Sequence, residues 1–149
     1  MKLKDFLINA KITGYATGGE GNEIKLPDGG KKFQYQEQEF EYGDIYYGFN
    51  PFSGQEVVRK NNEVFWIMNY YGFVNNNFED VSSIYQFLKL ALQRPDPNLP
   101  LRGPNKFEID DLIYLNTPTG NISFFTGQER IQFHDESIYK LYYHGGLIK

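Results

Sequence analysis

The 149-residue chain has no cysteine, which excludes disulfides and thiolate metal ligands. Histidine is scarce as well: only His134 and His144 are present. No spacing of His, Asp and Glu matches a metal site, and no Ser–His–Asp order is visible. No catalytic residue, metal ligand or cofactor is therefore assigned. Long apolar runs are also missing. The longest, "VFWIM", is far too short to span a bilayer. The opening "MKLKDFLINAKIT" begins basic, as a signal peptide does, but Asp5 and Asn9 interrupt its apolar stretch. Leu3, Phe6, Leu7 and Ala10 instead fall at helical spacing. The expectation is a cytoplasmic protein with no membrane partner. Positive charge is in deficit, with 15 Lys and Arg against 19 Asp and Glu. That balance argues against direct nucleic-acid binding, which needs clustered cations. Lys2, Lys4 and Lys11 read as the solvated face of the first helix.

Aromatic residues are abundant: 12 Tyr and 13 Phe bring the aromatic share to 17%. Tyrosine-rich strands pack well and also form binding surfaces, because the ring is apolar and the hydroxyl is not. A repeat organises them. "FSGQEVV" at 52–58 returns as "FTGQERI" at 125–131, an offset of 73 that continues through Trp66/Tyr139, Tyr70/Tyr143 and Gly72/Gly145. Upstream the offset is 72, pairing Tyr35 with Phe107, Tyr42 with Tyr114 and Gly48 with Gly120. A period of about half the chain points to a duplicated unit.

Period-2 alternation predicts strands near 33–47, 55–60 and 64–71, then near 107–117, 128–133 and 137–144. "NNE" and "HDE" close the last hairpin of each set. Helices are expected at "LKDFLINAK" and over Phe78–Arg94, with Asp80 as N-cap and "RPDPNLP" as the stop. The expected fold is α+β: a single domain, 1–149, of two αβββ repeats (about 3–74 and 80–147) with antiparallel meanders and internal pseudo-twofold symmetry. "TGYATGGEGNEI" and "LPDGG" read as loops without the strand–GxGxxG–helix setting of a nucleotide site.

With a three-residue turn, Val58 lies opposite Trp66, which places Glu56 beside Met68 on the core side, and Glu129 falls equivalently beside Leu141. A carboxylate there must be hydrogen-bonded or shift its pKa upward. Gly54 and Gly127 precede the glutamates by two, where a tight turn could offer backbone N–H groups. These four residues are assigned structural roles. The alternative is a pair of perturbed carboxylates sharing a cleft.

"YGDIYYGFNPFSGQEVV", "VFWIMNYYG" and the closing "YYHGGLIK" resemble a bacterial family of unknown function. Its pattern is Tyr-x-Asp-x-Tyr-x-Gly, Phe-x-Gly-Gln-Glu-x-Val and Trp-x-Met-Asn-Tyr-Tyr-Gly. Members of that family occur alone or joined behind a repressor-type helix-turn-helix domain, which implies sensing or binding rather than catalysis. The family's Ser-Arg-Pro stretch before the first strand is replaced here by "KLPDGG".

The expected function is a non-enzymatic module that binds a small molecule, as a sensor or a sequestering protein. Its pocket is expected at an aromatic seam between the halves or at nearby strand ends. Asp44, Tyr46, Tyr47 and Trp66 are ligand-contact candidates from the first half. Asn69, Tyr71, Tyr142 and His144 join them from the last strand of each unit. The alternatives are a protein-interaction or inhibitor role, for which a homo-oligomer is compatible, and a hydrolase using Glu56, Glu129 or His144.

Overall fold

The structure is a computed structural model and describes residues 1–16 and 23–149. Half of the glycine-rich stretch at 13–24, residues 17–22, therefore lies outside the described residues, and its first four residues are helical rather than loop. Helix α1 (Leu3–Ala16) precedes strands β1 (Ile24–Lys25), β2 (Lys31–Glu37), β3 (Phe40–Gly48), β4 (Phe52–Lys60) and β5 (Glu63–Val74). Helix α2 (Val81–Leu92) leads to β6 (Lys106–Ile109), β7 (Leu112–Asn121), β8 (Phe124–Phe133) and β9 (Glu136–Leu147). All nine strands form one antiparallel sheet in the order β1-β2-β3-β4-β5-β9-β8-β7-β6.

This corrects the expectation of two αβββ units with pseudo-twofold symmetry. The spans 33–47 and 107–117 are not single strands. Each folds back at a two-residue turn whose first residue, Gln38 or Asp110, takes a left-handed φ of 53°. Strand β1 adds a further member at one edge. The halves are not separated by an open seam, because β5 pairs directly with β9 from Trp66↔Leu147 to Val74↔Tyr139. What remains along that junction is a shallow concavity of about 290 Å³ on the uncovered face, lined by Ile67, Asn69, Phe124 and His144 among others.

The hairpin joining β4 and β5 shows how local chemistry sets the register. Asn61 and Asn62 both adopt positive φ, which Asn tolerates, so two residues close the turn instead of three. A bulge at Val58/Arg59 absorbs the difference, and Val58 still faces Trp66. His134 and Asp135 close the β8–β9 hairpin in the same manner, with a bulge at Ile131/Gln132.

Both helices lie on one face of the sheet, and the core forms between them. Asp80 caps α2 by accepting from the Ser83 backbone N–H (3.2 Å), and Ile84, Phe87, Leu88 and Ala91 turn the helix's apolar stripe inward. Beneath them the strands present Phe40, Tyr42, Val58, Trp66, Met68 and Tyr70. The opposite face of the sheet carries no layer among the described residues. Tyr71 and its cross-strand partner Tyr142 are exposed there.

Candidate functional site

On the helix-covered face, alternation puts Asp44 and Glu56 side by side on β3 and β4. Glu56 is fully buried, and both its oxygens accept from Lys11 Nζ at 2.8 and 2.7 Å. Lys11 itself is only 2% exposed. It is therefore not part of a solvated face, as its sequence setting suggested. Burial pulls its ammonium below the usual range, against the pull of Glu56. Leu3, Leu7 and Lys11 are spaced by four, so the apolar stripe itself contained the signal that Lys11 faces inward.

Gly54 explains why the motif needs glycine. It is a strand residue, not a turn: a Cβ there would meet the Tyr70 hydroxyl at 2.3 Å. The missing side chain lets Tyr70 lie across β4 and donate its hydroxyl to Asp44 Oδ1 (2.6 Å). Asp44 Oδ2 accepts no hydrogen bond from the described residues. Burial, with Glu56 adding to it, pushes the Asp44 carboxyl up to about 7, although the Tyr70 bond and the nearby charges of Lys11 and Arg102 oppose the rise.

Asp44 lines a cavity of about 420 Å³ between α1, α2 and strands β2–β5. Its aromatic wall is built from Phe49, Phe52, Tyr70 and Tyr85. Tyr85 meets Phe49 and Phe52 edge-on at 5.2 and 5.5 Å, and its hydroxyl donates to the Phe49 carbonyl at 2.7 Å. Tyr46 lines it too, with its hydroxyl bonded to Glu23 and its pKa raised by burial and by that carboxylate. Arg102 completes the floor, its guanidinium 5.4 Å from the Tyr70 ring centre.

The second glutamate is held differently. Glu129 is fully buried and accepts from Arg102 Nη2 (2.9 Å), the Tyr139 hydroxyl (3.0 Å) and the Tyr114 hydroxyl. Burial and Glu129 raise the pKa of both tyrosines. Gly127 plays the part of Gly54: a Cβ would meet the Tyr143 ring at 2.0 Å, and Tyr143 donates to Asn116 (2.8 Å). Asn116 lies beside Glu129 as Asp44 lies beside Glu56. It is saturated, because its amide also donates to the Gly103 carbonyl (3.0 Å). The segment at 100–105 covers this cluster. Arg102 gave no sequence signal, lying in an irregular, proline-flanked stretch.

The other predicted contacts scatter. Trp66 is core, stacked on Phe125 at 5.6 Å with its indole N–H on the Ile122 carbonyl (3.0 Å). Asn69, Tyr71, Tyr142 and His144 sit on the opposite face, where Tyr71 pairs with Tyr142 and Asn69 with His144. Tyr47 also leaves the cavity, donating to Asp28 (2.7 Å). Of the eight candidates the cavity gathers Asp44 and Tyr46. Glu56, Glu129 and His144 lie in three separate places and do not converge on one acid–base centre.

A family model for a domain of unknown function, DUF5680, matches residues 44–148. The chain belongs to that family. The DUF5680 match includes Asp44, Glu56, Arg102 and Glu129, whereas α1 with Lys11 precedes it. No curated protein and no solved structure matches this DUF5680 chain. Among its described residues no helix is long and apolar enough to cross a membrane.

Proposed function

We infer that this domain is a binding module whose small-molecule ligand occupies the cavity walled by α1, α2 and β2–β5. The observation that carries the reading is Asp44: a carboxylate on the cavity wall with one oxygen held by Tyr70 and the other without a donor among the described residues. A half-satisfied carboxylate among aromatic walls is the usual make-up of a pocket that orients a ligand by a few polar groups. The volume of about 420 Å³ falls within the roughly 300–1,000 Å³ typical of such sites. The resemblance to domains found alone or behind helix-turn-helix repressors supports a sensing or sequestering role, in which the ligand is held rather than transformed.

The test is a thermal-shift screen of small metabolites followed by Ser82→Trp and Gln86→Trp. Both residues line the cavity from exposed positions on α2, so an indole can fill the space at little cost to the fold. Hits whose stabilisation disappears in these variants support the reading. Hits unaffected by either variant, or no stabilising compound at all, refute it.

A further inference from the structure

We propose that the cavity selects ligands carrying a cationic nitrogen on a flat apolar body, with the cation bound to Asp44. This rests on the cavity being the ligand site and adds the chemical class. Two cations reach the cavity floor from the interior, and each already has a carboxylate: Lys11 holds both oxygens of Glu56, and Arg102 holds Glu129 at 2.9 Å. Among the described residues no cation is bonded to Asp44. The donor it has there is the neutral Tyr70 hydroxyl at 2.6 Å, on Oδ1, which leaves Oδ2 as an acceptor on the cavity wall. An N–H of a bound ammonium or amidinium satisfies that oxygen and supplies the missing positive charge.

The walls suit the same ligand. Tyr46, Tyr70, Phe52 and Tyr85 line the cavity and offer aromatic area to the ligand's apolar body. Glu23, bonded to Tyr46, adds a second carboxylate to the lining. The remaining cations, Lys31 on β2 and Lys89 on α2, are exposed, with Lys31 Nζ 5.9 Å over the Tyr46 ring. Charges at exposed positions are screened far more than that of a group beside Asp44.

A pH signature follows. The groups facing Asp44 are Glu56 from β4, Tyr70 from β5, Lys11 from α1 and Arg102 from the segment after α2, with Tyr46 on its own strand. With its carboxyl near 7, Asp44 must shed a proton to solvent before it pairs with a cation. Affinity therefore climbs by up to about tenfold per pH unit below 7 and levels off above it.

The experiment is calorimetry with benzamidine and phenethylamine, set against neutral benzamide and anionic phenylacetate, between pH 5.5 and 8.5. The proposal expects the cations to bind at least about tenfold more tightly than the others, with affinity rising with pH. Asp44→Asn should remove both the preference and the pH dependence. Binding of benzamide or phenylacetate at least as tight as that of the cations overturns the ligand class, as does an unchanged preference in Asp44→Asn. If such binding is still lost in Ser82→Trp, the cavity survives as a site for another class. If the bound probe ignores Ser82→Trp and Gln86→Trp, the site itself is wrong. No binding by either cation at millimolar concentration also overturns the class.

Discussion

Glu56 and Glu129 stand in the same five-residue motif, are both fully buried, and end in different circumstances. Glu129 is enclosed: Arg102 and two tyrosine hydroxyls occupy it, and the neighbouring Asn116 is neutral and bonded at both ends of its amide. Glu56 is satisfied by Lys11 alone, and its neighbour is Asp44, an ionisable group with an open acceptor on a cavity. One carboxylate is covered by an irregular segment, the other by a helix that leaves space beside it. The contrast teaches that the shared motif builds a way of burying a carboxylate beneath a tyrosine. Whether a site results depends on the residue next to it and on what covers it. Arg102 links the two, since it pairs with Glu129 and lies over the Tyr70 ring whose hydroxyl holds Asp44.

The largest effect should come from breaking the closed side. Glu129→Ala leaves Arg102 buried without its carboxylate partner and removes the acceptor of two buried hydroxyls. A loss of about 3–5 kcal/mol is expected in urea unfolding. A loss under about 1 kcal/mol would show that the cluster is not the tie it looks to be.

Glu56→Gln should cost less, about 2–3 kcal/mol, because Asp44 stands next to the stranded ammonium and can ionise to meet it. Replacing the pair together, Lys11→Met with Glu56→Leu, should come within about 1 kcal/mol of the native protein or exceed it, since no buried charge is then orphaned. A double variant as unstable as Glu56→Gln would contradict the ion-pair account.

Asp44→Asn makes the open side resemble the closed one. The folded carboxyl is raised from 3.8 to about 7, so between those values the native state holds a proton that the unfolded chain has released. Stability contributed by this group is present at low pH and lost as pH rises from about 4 to 7. The variant should abolish that fall, and above pH 7.5 it should be about 1–2 kcal/mol more stable than the native protein, allowing for partial solvation. Matched pH profiles of the two proteins check this. Parallel curves would argue that Asp44 titrates normally.

The smallest effects belong to the uncovered face. Tyr71→Ala and Tyr142→Ala remove exposed rings that touch mainly each other's strand, and each should cost about 1 kcal/mol or less by thermal unfolding. Larger losses would mean that this face is covered by something in solution.

How much of this was legible in the sequence varies by element. The facing of Val58 to Trp66 and Glu56 to Met68 could be read from alternation with a three-residue turn, and a two-residue turn with a bulge gives the same pairs. The turn at Gln38 could not be read, because Gln and Glu are weak turn signals and the strand texture runs through them. Asp110-Asp111 did carry a turn signal, which the reading of 107–117 as one strand passed over. The repeat misled about partners. Aligned positions promise the same strand environment, but the cations that reach Glu56 and Glu129 come from a helix and a loop outside the aligned strands. Exposed tyrosines such as Tyr71 drew attention as binding residues because exposure cannot be told from face assignment when both faces are aromatic. Asp44 and Tyr46 were candidates because a carboxylate sits among tyrosines at a strand end, and both line the cavity.

The central claim is that the cavity beside Asp44, and not the tyrosine face, is where a ligand binds. Its most direct measurement is two-dimensional NMR of the isotope-labelled protein titrated with benzamidine at pH 8. The account predicts concentration-dependent shifts centred on Asp44, Tyr46, Tyr70 and Tyr85 that vanish in Asp44→Asn. Shifts centred on Asn69, Tyr71, Tyr142 and His144, with the cavity residues still, would contradict it.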